Sequence, residues 1–293
     1  MTPFFGGLYN ANDEEDSLEF QRTCGAMNVL FFEVTLLFYF LGTTLFLVQL
    51  AGRWEGIWKQ SFVMAGIGFS FHTLALVSRM IEGGHIPLTS MHEALSFFSW
   101  ALVLFFLVVE LRYRVHILGS FILPMAFISL ISAAALPKEI RALEPIFRNV
   151  WMHVTFSLLG TVAFAVAFVA GLMYLIQEHM LKSKRLDGLY RKLPALDFLD
   201  ELNRKAISFG FPLLTLGIIT GALFAEFARG SFLNWNAEQI GALGTWLFYL
   251  IVLLGRVTVG WRAKKAAYLT VVGFAGVVFT LVGVMLKGQH PFV

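Results

Sequence analysis

Seven histidines are the residues of this chain best suited to chemistry: His72, His85, His92, His116, His153, His179 and His290. A neutral imidazole is a good ligand for iron, and two of them converging from helix ends can hold a haem axially at a membrane surface. Counting the apolar segments between them places His85, His92, His153 and His290 at one end of the protein. A single interfacial histidine more commonly bonds a neighbouring group or a lipid headgroup, so both roles stay open for each. The 226–239 segment, EFARGSFLNWNAEQ, brings Phe227, Phe232 and Trp235 to the same end. Such aromatics either anchor a chain in the interface or form a flat apolar bed for a porphyrin face. In the second case Arg229, with Arg148 or Lys287, lies near its propionates.

Two further ionisable residues, Glu33 and His72, fall inside apolar stretches, where such groups are functional candidates by default. A neutral histidine bonded to a neighbouring helix is the ordinary state for His72. Ser90 and Glu93 fit a capping box, serine at the N-cap and glutamate three residues on, which accounts for SMHE without chemistry. Cys24 is the one cysteine, so neither an internal disulfide nor a CxxC pair can form. No Walker, HExxH, GxSxG or Rossmann pattern occurs.

Apolar helices must position these groups. The chain is 58% hydrophobic and 14% charged over 293 residues, with a mean hydropathy of +0.74, more apolar content than one soluble core uses. A helix crosses the hydrocarbon layer with about 20 apolar residues. Eight such stretches follow one another at 27–50, 60–80, 93–111, 115–136, 151–176, 206–225, 240–255 and 266–286. The seventh is the shortest; it spans if Thr258 and Val259 are included and Arg256 snorkels to the headgroups. The expected fold is therefore all-α, a polytopic transmembrane helix bundle of about eight spans. Most Lys and Arg residues, among them Arg112, Arg114, Lys182, Lys184, Arg191, Lys192, Lys264 and Lys265, share one side. The positive-inside rule makes that side cytoplasmic and puts both termini, with the histidine end, outside. The same basic loops attract anionic lipid, and the net charge of +3 calls for no nucleic-acid partner.

This reading divides the chain into an external segment 1–26, spans one to four over 27–136, an external loop 137–150, and spans five to eight over 151–293. The last part contains a cytoplasmic loop 177–205 and the external tryptophan-containing loop 226–239. The first span is expected to remain as an anchor. From Pro194 onward, Leu196, Phe198, Leu199 and Leu202 have the spacing of an interfacial amphipathic helix. Pro124 and Pro212 fall within spans, and Ala163, Ala167 and Gly171 form a small-residue stripe that allows close helix approach.

Four segments carry a resemblance. TSMHEALSFFSW (89–100), WMHVTFSLLGTVAFAVAFVAGLMYLIQ (151–177), LPALDFLDELNRKAISFGFPLLTLGIITGALFA (193–225), and GWRAKKAAYLTVVGFAGVVFTLVG (260–283) followed by GQHPFV occur in that order. Together they resemble the CcsA/ResC/HemX group of membrane proteins that assemble cytochrome c in system II. That group's tryptophan-rich loop reads approximately WGxYWxWD. Here Gly230, the aromatic Phe232 and Trp235 match it, while Arg229 and Leu233 stand at tryptophan positions and Asn236 at the aspartate. Leu254 stands where the group has an intramembrane histidine.

The resemblance implies a haem-handling subunit in a bacterial cytoplasmic (inner) membrane. It would bind haem b in passing, at most as one subunit of a haem lyase, and present it to apocytochrome c outside the cytoplasm. His153 and His290 would be the paired ligands of the haem iron, with Trp235, Phe232, Arg229, His92 and His85 as further contacts. The partner it implies is a CcsB/ResB-like membrane subunit with a large external domain. The alternatives are a HemX-like membrane regulator of haem synthesis, acting on glutamyl-tRNA reductase level, and a small-solute transporter.

Overall fold

A computed structural model of the chain describes residues 11–52, 56–138, 150–184, 188–232, 235–261 and 263–286, and every regular element among them is helical. The helices are α1 (Ala11–Leu50), α2 (Trp58–Gly83), α3 (Met91–Tyr113), α4 (Gly119–Ala134), α5 (Val150–Lys182), the single turn α6 (Leu189–Lys192), α7 (Leu196–Arg229), α8 (Ala237–Thr258) and α9 (Ala263–Leu286). A 3-10 turn, His116–Leu118, leads into α4. All but α6, with α4 taken together with the turn that leads into it, are long and apolar enough to cross a membrane, so the eight-span all-α fold read from the sequence is the fold observed.

Two features differ from the expected spans. The sixth begins at Leu196, because the stretch read as an interfacial helix runs unbroken into the span. Leu199, Asn203 and Ile207 are buried at four-residue spacing, so this face meets the bundle and nothing interrupts the helix. In the seventh, α8 reaches Thr258, but Arg256 does not snorkel: its side chain is 5% exposed and pairs with Asp200 at 3.2 Å. A guanidinium inside a membrane bundle is held by such a partner. Arg256 also donates to the Asn203 side-chain oxygen Oδ1, to which the Thr270 hydroxyl donates at 3.4 Å. This knot locks α8 and α9 onto α7.

The helices pack as two groups, α1–α4 and α5 with α7–α9, joined where α3 and α4 meet α5. Of the spans, α5 is the most thoroughly buried and α8 the least. The α5–α7 contact is close because it is lined by glycine: a Cβ at Gly160 would lie 2.9 Å from the Leu214 nitrogen. The small-residue stripe works as expected, with Ala163 against Gly210, Gly171 against Ala267 of α9, and the Ala167 carbonyl accepting from Asn203 Nδ2 at 2.6 Å. Pro124 and Pro212 lie inside α4 and α7.

Candidate functional site

His153 sits in the first turn of α5, at the end of the bundle where α7 finishes and α8 begins. Its Nδ1 lies 2.7 Å from the Gly217 carbonyl oxygen of α7. A carbonyl only accepts, so Nδ1 carries the hydrogen and donates it, and Nε2 keeps the lone pair. Nε2 makes no hydrogen bond among the described residues. The ring fits because residue 221, one turn beyond 217 on α7, is glycine: a Cβ there would lie 2.5 Å from Nδ1 and 2.6 Å from Cε1.

The imidazole lines an open cleft of about 170 Å³ between α5, α7 and the start of α8, with Ile218, Ala222 and Leu243 supplying apolar wall. Phe232 closes one side, so of the loop aromatics the structure brings Phe232 to His153. Trp235 follows closely in the chain and is 65% exposed, available as interfacial surface or as a bed for a flat ligand. Phe227 is exposed as well. Arg229 ends α7, its side chain lying beyond the described atoms, and Gly230 caps the helix with φ 68°. His290, Arg148 and Lys287 lie outside the described residues. The last helix, α9, finishes at Leu286 on the His153 end, four positions before His290.

Asn236, at the aspartate position of the tryptophan-rich loop, is the N-cap of α8 and accepts from the Gln239 backbone N–H at 2.8 Å. Gln239 returns its side-chain oxygen to the Trp235 N–H at 3.1 Å, so the two side chains pin the mouth of the cleft. Asparagine and aspartate cap helices equally well. Asn236→Asp should therefore leave thermal unfolding in detergent unchanged, while Asn236→Ala should destabilise by about 1 kcal/mol.

His92 and His85 do not join this cleft. His92, the second residue of α3, donates Nδ1–H to the Ala133 carbonyl at 2.8 Å and packs 5.2 Å from the Phe32 ring. It lines a separate cavity of about 310 Å³ with Asn28, Arg79, Glu82 and Lys138, between the ends of α1–α4. His85 donates to the Ile86 carbonyl at 3.0 Å. Its loop is fastened through Leu88, which packs with Val150 and Val154. His72 is a satisfied core histidine, fully buried between the Tyr39 hydroxyl (3.2 Å) and the Ser96 hydroxyl (3.0 Å). At the opposite end of the bundle His116 bonds Glu110 and stacks on Trp58 at 3.9 Å.

The sequence pointed to the histidine and the aromatics but not to Gly217 and Gly221, which supply the acceptor and the space that orient the imidazole. Their four-residue spacing opposite His153 is a signal only once α7 is placed against α5.

The cytochrome C assembly protein family matches residues 88–290 of this chain. The cytochrome c biogenesis protein CcsA of Guillardia theta is 30% identical over 277 residues, covering 84% of this chain and 92% of the relative. CcsA of Chlamydomonas reinhardtii is 32% identical, covering 78% of this chain and 66% of the relative. CcsA of Synechococcus elongatus is 29% identical, covering 74% and 82%. Among solved structures, the cytochrome c haem lyase CcmF superposes with a TM-score of 0.66 at 14% identity, covering 97% of this chain. This is a likeness of fold, and the chain spans 48% of that structure's length.

Proposed function

This chain belongs to the cytochrome c assembly protein family, a multi-pass membrane protein of cytochrome c biogenesis, and we propose that it is the family's haem-handling subunit. It holds haem b at the His153 end, outside the cytoplasm, through His153 and His290, and presents it to apocytochrome c beside a CcsB/ResB-like membrane partner. Its membrane is the bacterial cytoplasmic membrane.

The observation that carries this reading is the tie from His153 Nδ1 to the Gly217 carbonyl. It fixes the tautomer and sets the ring plane, the arrangement of a metal-ligating histidine. The cleft beside it fits a flat apolar cargo, with Phe232 and the aliphatic residues of α7 and α8 as its walls. At about 170 Å³ it is smaller than the roughly 300–1,000 Å³ of enclosing ligand pockets. It therefore grips part of a porphyrin and leaves the rest accessible, as a protein that passes its cargo to another needs to do. Trp235, beside the mouth, offers a second ring face, and Arg229 a cation for a propionate. His92 and His85 do not line the cleft, so the reading rests on His153 and His290 as the ligands.

Haem brings vinyl groups, across which the cysteine S–H bonds of the cytochrome add. This chain's residues bind the cargo, orient it through a fixed imidazole and shield one side from water. The covalent step itself lies between cytochrome and haem.

The visible spectrum of the detergent-purified protein tests the reading, with wild type beside His153→Ala, His290→Ala and the double variant. A Soret band in wild type should weaken in each single variant and vanish in the double one. Wild-type protein that stays colourless after haem is added would overturn the site. Deleting the gene should remove c-type cytochromes without lowering total haem. A fall in total haem would instead point to the regulator.

A further inference from the structure

Among the described residues, a carboxyl group stands on the outside of the bundle at membrane depth. Glu33 is exposed on α1, and no hydrogen bond or ion pair reaches it among the described residues. Its depth follows from its neighbours. Asn28 donates to Glu82 at 3.3 Å next to the end of α2, marking the level where the helices leave the membrane. Glu33 is five residues further in, about 7.5 Å along the axis. It lies well within the apolar span that begins at Thr23. A glutamate side chain is too short to carry its carboxylate back over that distance, and an ionisable group facing hydrocarbon calls for a partner.

The surrounding surface has the pattern of a helix seat. Leu30, Glu33, Leu37, Phe40, Thr44 and Leu47 are all exposed and recur at alternating three- and four-residue spacing. That is the period of a two-helix seam, in which one polar member fixes partner and register. Thr44 satisfies itself, donating to the Phe40 carbonyl at 2.9 Å, so Glu33 is the one member seeking a group from outside.

We propose that the 30–47 ridge of α1 seats a transmembrane helix of the partner membrane subunit, and that Glu33 pairs there with a lysine, arginine or histidine of that helix. Charge decides the occupant. A second copy of this chain, parallel in the same membrane, would set Glu33 against Glu33 across a twofold axis. Lipid would leave the carboxylate without a donor. The ridge belongs to a helix packed on α2 and α4, whereas the cleft lies between α5, α7 and α8, so a seated helix leaves the His153 site open. The proposal rests on the assembly reading for the identity of the partner subunit, while the need for a cationic helix rests on Glu33 alone.

The test co-expresses the tagged full-length chain with the partner subunit and purifies it in mild detergent. Wild type, Glu33→Gln and Glu33→Leu are compared for partner recovered, Soret absorbance and thermal unfolding. Glu33→Leu should bring down about tenfold less partner, the effect of losing one pairing inside a membrane. Glu33→Gln should retain an intermediate share, and the Soret band and unfolding temperature should hold in both. Glu33→Lys should regain the partner when the matching cation of that subunit is changed to glutamate. Undiminished recovery with Glu33→Leu would overturn the proposal. So would a Leu37→Cys variant that cross-links two copies of the chain. Failure of the haem reading would show separately, as a wild-type complex with its partner and no Soret band.

Discussion

Gly221→Ala should weaken haem binding about 10–100-fold, although it removes no group that could touch haem. The new Cβ would lie 2.5 Å from His153 Nδ1, closer than non-bonded atoms approach, and what it meets is an imidazole rather than a flexible side-chain tip. The ring has to swing, and the bond to the Gly217 carbonyl goes with it. Without that acceptor the hydrogen is free to sit on either nitrogen, and the lone pair no longer holds a fixed direction toward the cleft. The helix itself should tolerate the change, since alanine favours a helix over glycine by about 1 kcal/mol. Haem titration followed by absorption, with circular dichroism alongside, separates the two effects. Gly244→Ala on α8 is the control: a Cβ there meets nothing within 4 Å, so haem binding should match wild type. If Gly221→Ala also titrates like wild type, the imidazole does not work from this seat.

The contrast between His153 and Gly221 shows what is legible in a membrane sequence. Spans are read from hydropathy, a local property dictated by the bilayer, and all eight were visible. The end at which each histidine emerges follows from counting them. Which helix lies against which depends on side-chain interdigitation between segments far apart in the chain, and hydropathy carries none of that. His92 and His153 both start helices at one end of the bundle, and only packing sends one to a cavity among α1–α4 and the other to the cleft on α7. Arg256 was misread for the same reason: its partner Asp200 is 56 residues away, in a stretch whose amphipathic spacing suggested lipid rather than a neighbouring helix. Asn236 reads against the family pattern only as a departure at the aspartate position, although a local signal is there to read. Its capping role is local, and the NAEQ spacing that carries it stands in the sequence.

Glu93→Ala should destabilise the protein by about 3–5 kcal/mol, several times the cost of losing a helix cap. The capping-box spacing is half realised: Ser90 Oγ accepts from the Glu93 N–H at 3.3 Å. The carboxylate does not turn back to Ser90. It accepts from the Thr89 N–H at 2.8 Å and the Thr89 hydroxyl at 2.9 Å, and its other oxygen meets Arg79 Nε at 3.0 Å. Both side chains of the pair are nearly sealed from solvent, 7% exposed for Arg79 and 3% for Glu93. Removing the carboxylate takes away one half of a nearly sealed ion pair that ties α2 to α3, together with both contacts to Thr89, and it is the loss of this buried partner that dominates the cost. Two comparisons in a thermal unfolding series separate that cost from the cap. Ser90→Ala should lose only about 1 kcal/mol. Replacing Arg79 and Glu93 together with leucine should leave the protein more stable than Glu93→Ala alone, since the buried guanidinium is then removed along with its carboxylate and the space is filled by apolar side chains. A Glu93→Ala effect no larger than that of Ser90→Ala would mean that the pair contributes nothing beyond the cap. The haem spectrum should persist below each variant's unfolding temperature, because the pair joins α2 to α3 while the cleft is built by α5, α7 and α8.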